Sequence, residues 1–125
     1  MYCPGCNSKA KLVDSRVIYG RSYGNAWVCS SYPTCDHYVG CHKGTEKALG
    51  TLANKETREF RIKAHALFDP LWRGKGNGVR TLQYRRLADY LDIKVKDCHI
   101  SMFNVSTCRR VMQFCKLNSL IVLLK

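Results

Sequence analysis

Eight cysteines hold most of the chemistry available to this chain of 125 residues, and four of them form two pairs near the N-terminus. The first pair is Cys3 and Cys6, separated by Pro-Gly, and the second is Cys29 and Cys35. A separation of about twenty residues between two such pairs lets four thiolates converge on one tetrahedral Zn²⁺. We therefore predict one structural zinc ion, bound by these four cysteines in a β-ribbon.

Disulfide bonds or merely buried thiols are the alternatives to a metal site. Disulfides are favoured in secreted chains, yet the N-terminus lacks a charged region followed by an apolar run and a cleavage site. We therefore expect a reducing, cytoplasmic location, where such pairs more often bind metal. Cys41 or His42 could replace Cys35 as the fourth ligand, and that alternative stays open at this stage.

Short strands are predicted to bring the two cysteine pairs together. Residues 11–19 are rich in Val and Ile and alternate in the manner of a strand. Residues 20–25 carry two glycines and an asparagine, which suit a hairpin loop. Residues 26–29 then return as the partner strand, and residues 37–42 are a candidate third strand.

Three helices are predicted in the remainder. Asn54 is a good N-cap for a helix over residues 55–72, which Pro70 should kink or end because it lacks an amide donor. A second helix is predicted over residues 79–91, after a flexible basic loop. A third should begin after Asn104 and continue through residue 116.

The fold class predicted is therefore small α+β, with a four-cysteine zinc β-ribbon at the N-terminus followed by a three-helix C-terminal region. We place the ribbon at residues 1–44 and the basic helical region at residues 45–125, with a single compact unit as the alternative. The apolar tail at residues 119–124 is a docked strand, a last helical turn or a partner surface. It is too short to span a bilayer, which needs about 20 residues, so no membrane partner is expected.

Positive charge is the strongest indication of a partner. The formal net charge is +12 and the pI about 9.6. Residues 45–125 hold sixteen Lys and Arg against seven Asp and Glu, so the field comes mainly from the C-terminal part. Nucleic acid is the commonest acidic partner of such a chain, and a solvated face that binds nothing specific is the alternative.

Phosphate contacts are expected from basic side chains, and stacking is expected from aromatic residues interleaved with them on the ribbon. Tyr32, at the tip of the second cysteine pair, is the ring most expected to be exposed, whereas Trp27 is expected to pack the ribbon against the helices. The predicted nucleic-acid contacts are Arg21, Tyr32, Arg61, Lys63, Arg73, Lys75, Arg80, Arg85 and Arg86.

No catalytic residue is predicted, and the chain is not expected to be an enzyme. His65 and Asp69 are four residues apart on a helix and can meet, but a nuclease site would need further carboxylates, so a structural hydrogen bond is preferred. Cys98 and His99 are adjacent in sequence. Side chains of adjacent residues seldom face each other, so this pair is not expected to form a catalytic dyad. The glycines of residues 74–78 do not match a phosphate-binding loop.

Two resemblances add to this interpretation. The stretch Cys-Ser-Ser-Tyr-Pro-Thr-Cys, together with Cys-Pro-Gly-Cys, resembles the zinc ribbons of type IA DNA topoisomerases. Three further stretches resemble a small zinc-finger-containing domain family found in phages and prophages: Gly-Thr-Leu-Ala-Asn at 50–54, residues 61–72 and residues 98–103. The second resemblance implies phage or prophage origin.

That resemblance also raises an alternative function, a protein-interaction module that docks on a host or viral protein and modulates it, for example a defence-system inhibitor. Because the chain is basic, its target would need an acidic surface or a bound RNA. Whether the chain forms oligomers cannot be read from its sequence.

Overall fold

A computed structural model describes the backbone of residues 1–124 and the side chains of residues 1–119. The fold class is small α+β, as predicted, with a three-stranded sheet and four α-helices in the described residues. The chain divides into two compact units, Met1–Arg58 and Glu59–Lys125, called here the N-terminal and C-terminal units. The domain boundary placed after residue 44 stays a prediction, because a compact unit need not fold by itself.

The N-terminal unit contains one antiparallel sheet. Its strands are β1 (Ala10–Asp14), β2 (Asn25–Cys29) and β3 (Tyr38–Gly40), in the order β1-β2-β3. Ala10 lies opposite Cys29 across the first pair of strands. The predicted partner strand and the candidate third strand are therefore confirmed.

The strand predicted over residues 11–19 is wrong in its second half. It ends at Asp14, and one helical turn follows, α1 (Arg16–Tyr19). The Asp14 carboxylate accepts a hydrogen bond from the Arg16 backbone N–H at 2.8 Å, a local contact that turns the chain out of the extended conformation. Gly20, at φ 75°, then ends the turn in the left-handed conformation.

Asparagine side chains start two of the long helices, as predicted. The Thr57 backbone N–H donates to Oδ1 of Asn54 at 2.9 Å, where α2 (Lys55–Phe68) begins. The Thr107 backbone N–H donates to Oδ1 of Asn104 at 2.8 Å, where α4 (Val105–Leu124) begins. Each contact satisfies one of the backbone donors that a helix leaves free at its first turn.

The other helix boundaries follow backbone chemistry. α2 ends before Pro70, which lies in a short 3-10 turn (Asp69–Leu71), so the predicted interruption is confirmed. α3 (Val79–Leu91) has the predicted bounds, and Asp92 closes it in the left-handed conformation. Two further 3-10 turns, Val95–Asp97 and Ile100–Met102, connect α3 to α4.

The helix α4 includes the apolar tail and continues beyond residue 116, where the third helix was predicted to end. The tail is therefore helical to Leu124, and whether its side chains form a partner surface lies outside the described residues. Of the helices described, none combines the length and the apolar character needed to cross a membrane.

The core of the C-terminal unit forms where α2, α3 and α4 bury their apolar faces. Phe68 is fully buried, with its ring centroid 4.8 Å from that of Tyr84 and 6.3 Å from that of Phe114. Leu87, Ala88, Leu91 and Val111 are buried in the same cluster. Three cysteines complete it as small apolar side chains: Cys98, Cys108 and Cys115.

Candidate metal centre and nucleic-acid interface

The first cysteine pair is held in a tight turn. The Cys3 backbone N–H donates to the Ser8 carbonyl at 2.8 Å, and the Asn7 N–H donates to the Cys3 carbonyl at 2.9 Å. Gly5 is needed in this turn because a Cβ at that position would lie 2.3 Å from the His37 ring. The turn therefore closes against a residue from beyond the second cysteine pair.

Four sulfur atoms meet between this turn and the end of β2. The ligand atoms of Cys3, Cys6, Cys29 and Cys35 all lie within 4.8 Å of one another. Sγ of Cys3 is 3.6 Å from Sγ of Cys35, and Sγ of Cys6 is 3.4 Å from Sγ of Cys29. A tetrahedral zinc ion with Zn–S bonds of about 2.3 Å needs sulfurs about 3.8 Å apart. The four cysteines therefore fit one zinc ion.

Two of these sulfurs each accept a hydrogen bond from a backbone amide, as thiolate ligands commonly do. The Gly5 N–H donates to Sγ of Cys3 at 3.3 Å, and the Ser31 N–H donates to Sγ of Cys29 at 3.5 Å. Each donor lies two residues after the cysteine that it contacts. Hydrogen bonds of this kind stabilise negative charge on sulfur.

The pKa values of two ligands are shifted in opposite directions. Hydrogen bonds from the side chain and backbone of Ser8 lower the pKa of Cys6 to about 6. The backbone amide of His37 lowers the pKa of Cys35, but burial and the three neighbouring cysteines outweigh it and raise that pKa to about 12. Four thiolates this close repel one another, and a divalent ion offsets that repulsion.

Within the residues that the structure describes, no other group of three or more His, Cys, Asp or Glu side chains is placed to hold a metal. Cys41 and His42, the alternatives to Cys35, lie outside the quartet. His37 is the neighbour that sequence reasoning missed: its Nδ1 is 3.3 Å from Sγ of Cys35. Its position two residues after Cys35 was the available signal.

The fold and this site define a zinc-finger protein with a four-cysteine centre. Residues 1–118 match the family described as a zinc-finger-containing domain, and the chain belongs to that family. No curated protein and no solved structure matches the chain. Family and geometry together support one structural zinc ion.

Basic side chains cover the C-terminal unit, which holds thirteen Lys and Arg against five Asp and Glu. Of the eleven exposed Lys and Arg side chains described there, only Arg73 lies within 4.0 Å of a carboxylate oxygen, that of Asp69 at 3.2 Å. The other ten, called here the unpaired cations, are Lys63, Lys75, Arg80, Arg85, Arg86, Lys94, Lys96, Arg109, Arg110 and Lys116.

Some basic residues have structural contacts as well. Nε of Arg61 donates to the Phe103 carbonyl at 2.8 Å, and burial lowers the Arg61 pKa. The Arg80 guanidinium carbon lies 5.1 Å from the Trp72 ring centroid and 4.8 Å from that of Tyr84. Arg61 is therefore held largely by its own unit, while Arg80 combines an exposed charge with cation–π packing.

The groups considered as catalytic candidates have the following positions in the described residues. Nδ1 of His65 lies 3.6 Å from Oδ1 of Asp69, an ion-pair distance and not the expected hydrogen bond. The other oxygen of Asp69 accepts from Arg73. Cys98 is buried, and burial raises its pKa to about 11, which disfavours the thiolate form.

Aromatic side chains of the N-terminal unit gather on one patch, called here the tyrosine cluster and formed by Tyr19, Tyr23, Tyr32 and Tyr38. Ring centroids lie 5.7 Å apart for Tyr19 and Tyr23, 6.1 Å for Tyr19 and Tyr38, and 6.3 Å for Tyr32 and Tyr38. Tyr23 is 69% exposed, whereas Tyr32 is half-buried, so the expectation that Tyr32 is the most exposed ring is wrong.

The remaining predicted ribbon residues lie outside this cluster. Trp27 is half-buried against the core of the unit, and its Nε1 donates to the Glu46 carbonyl at 2.7 Å. Trp27 therefore packs within its own unit, and the predicted packing of the ribbon against the helices stays a prediction. Arg21 is exposed in the loop before β2, where its phosphate contact stays a prediction.

Proposed function

We propose that this protein binds nucleic acid, chiefly through contacts between its C-terminal unit and phosphates. The observation that carries the proposal is the set of ten unpaired cations in a unit whose formal charge is +8. Side chains that repel one another and have no carboxylate partner favour a polyanion, because phosphates neutralise them and release counterions. Zinc would act structurally, by holding the cysteine turns of the N-terminal unit.

The resemblances to phage and prophage proteins and to topoisomerase ribbons support two finer parts of this proposal. We propose a phage or prophage origin and action in the cytoplasm of a host cell. Binding through phosphates is expected to depend on charge more than on base sequence.

Neutralising three unpaired cations is expected to flatten the salt dependence of binding. Arg85→Gln, Lys94→Gln and Lys96→Gln together remove three positive charges whose side chains have no hydrogen bond or ring contact among the described residues. The slope of log K against log salt should become shallower by up to about 2.7 on duplex and about 2.1 on single strands. Fluorescence anisotropy with labelled oligonucleotides at several salt concentrations measures both slopes.

The matched control is Lys9→Gln, Lys43→Gln and Lys47→Gln, which removes the same charge from exposed positions of the N-terminal unit. It should change the slope less than the first variant does. Equal slopes for both variants, or binding that is insensitive to salt, would contradict the proposal. Circular dichroism spectra establish that both variants stay folded.

An apolar groove in the C-terminal unit supports a second candidate function, the protein-interaction module. Its volume is about 620 Å³, and basic side chains stand beside its apolar ones. This combination favours an amphipathic helix with acidic flanks as the occupant. Its apolar face would fill the groove, and its carboxylates would pair with the basic side chains. The groove is lined by Leu67, Leu71, Arg109, Met112, Gln113, Cys115, Lys116 and Ser119.

Leu67→Asp with Met112→Asp is expected to abolish protein binding of this kind, because it places two carboxylates in the groove. Binding is measured by anisotropy with a labelled amphipathic peptide whose flanks carry glutamates, after nuclease treatment of the protein. Ile62→Asp is the control, because Ile62 is exposed on the same helix and does not line the groove. Peptide binding that is absent, or equal in both variants, contradicts this second candidate.

A further inference from the structure

A cavity of about 240 Å³ opens beside the tyrosine cluster, entirely within the N-terminal unit. The side chains that matter to its chemistry are Ser15, Tyr19, Tyr23, Asn25, Tyr38 and Arg58, which all line it. Its volume lies below the range of about 300–1,000 Å³ typical of sites for drug-sized ligands. The cavity therefore suits one flat group of one or two rings.

Aromatic surface at the rim of this cavity is accessible. Tyr19 is 57% exposed and Tyr23 is 69% exposed, and their planes meet at 83°. Tyr38 is less available, because Tyr32 stacks near it at 21° and the Arg58 guanidinium lies 3.7 Å from its centroid. A flat ligand would therefore stack on Tyr19 or Tyr23.

Polar groups in the lining have unused hydrogen-bonding capacity. Ser15 is buried and its Oγ accepts from the Tyr23 N–H at 2.7 Å, while its hydroxyl hydrogen has no acceptor among the described residues. Asn25 donates through Nδ2 to the Thr45 carbonyl at 3.1 Å, and its Oδ1 has no donor within the same part of the chain. One donor and one acceptor suit the edge of a nucleobase, which carries both.

Charge argues against the other ligand that tyrosines commonly hold, a quaternary ammonium group. The Arg58 guanidinium is fixed at the cavity because it donates to the carbonyls of Asp36 and Ala53 and lies 3.7 Å from the Asp36 carboxylate. The N-terminal unit also carries eight Lys and Arg against four Asp and Glu. A cationic ligand would be repelled, whereas the phosphates beside a base would be attracted.

Burial raises the pKa of Tyr38 to about 12, so its hydroxyl stays protonated at neutral pH. It lies 3.5 Å from the Tyr19 hydroxyl. The neutral Tyr38 hydroxyl is therefore a further hydrogen-bonding group in the cavity lining.

We propose that this cavity receives one unpaired nucleobase, with either Tyr19 or Tyr23 stacking on it and Ser15 and Asn25 contacting its edge. The inference rests on the proposed function and deepens it, because it names single-stranded nucleic acid as the ligand. Bases in a duplex are stacked on their neighbours and cannot enter such a cavity unless they are flipped out.

The experiment compares three labelled probes at fixed salt: a thymidine 12-mer, a duplex of equal length, and a 12-mer with abasic sites that keeps its phosphates. Tyr19→Ala with Tyr23→Ala should weaken binding of the thymidine strand about 5- to 150-fold, which corresponds to about 1–3 kcal/mol. Duplex binding and the salt slope should not change. The wild-type protein should bind the abasic strand as weakly as the variant binds the thymidine strand.

Tyr2→Ala is the control, because Tyr2 is 66% exposed in the same unit and does not line the cavity. Retention of zinc by the double variant establishes that the unit stays folded. The inference is overturned if the double variant binds the thymidine strand as tightly as the wild-type protein does. It is also overturned if a trimethyl-lysine peptide displaces the thymidine strand from the wild-type protein. The absence of binding to any probe at low salt would instead refute the proposed function, and the inference with it.

Discussion

A chelator that removes zinc is expected to unfold the N-terminal unit. The unit buries only seven apolar side chains, two of which are metal ligands: Cys3, Ala10, Ala26, Val28, Cys29, Leu52 and Ala53. A core this small cannot hold 58 residues, whereas structural zinc supplies about 10–16 kcal/mol in small peptides. Loss of the β-sheet signal in far-UV circular dichroism, with one zinc released per chain, is the expected result.

Substitution of one ligand tests the same dependence without a chelator. Cys29→Ser should prevent stoichiometric zinc binding, because the serine hydroxyl is a far weaker ligand than thiolate. Cys41→Ser is the control, since Cys41 belongs to the same unit but lies outside the quartet. Full zinc content in Cys29→Ser, or equal loss in both variants, would show that the quartet does not hold the metal.

The C-terminal unit should lose about 3–5 kcal/mol of unfolding free energy when Phe68 is replaced by alanine. Its ring is fully buried and contacts side chains from α3 and α4, so its removal leaves a cavity at the centre of the helical core. Hydrogen exchange measured on peptides from residues 59–118 reports on this unit alone. Protection there should fall by a factor that corresponds to the lost free energy.

Leu67→Ala provides the comparison, because Leu67 precedes Phe68 on α2 and is 47% exposed. Exposed substitutions of this kind usually change stability by no more than about 0.5 kcal/mol. If both alanine variants lose protection equally, Phe68 is not central to the core.

Features fixed by neighbours in sequence were predictable. The four zinc ligands follow from the spacing of two cysteine pairs, and the starts of α2 and α4 follow from asparagines whose side chains accept from residues three positions later. Pro70 interrupts its helix because of its own missing amide. The helix starts and the effect of the proline depend on contacts within a few residues, and the cysteine pairs follow the spacing typical of zinc sites, so none of them required knowledge of the tertiary structure.

Features that depend on contacts across the sheet were not predictable. The approach of His37 to Gly5 joins the two cysteine turns, which are far apart in sequence. Arg58 stacks on Tyr38 and anchors to Asp36, and no local pattern indicates that contact. Asp14 ended β1 early because its side chain competed with strand pairing, although the Val and Ile content favoured an extended strand. The tyrosine cluster is thus a product of the tertiary structure.

The buried cysteines of the C-terminal unit have a consequence for oxidative damage. Cys98 and Cys115 have pKa values raised to about 11 by burial, and burial raises that of Cys108 as well. Peroxide attacks thiolates that solvent can reach, so these three are poor targets. Once the metal has left and the N-terminal unit has unfolded, all four of its ligand sulfurs become accessible to peroxide. Oxidative stress would therefore disable the N-terminal unit first and leave the helical core chemically intact.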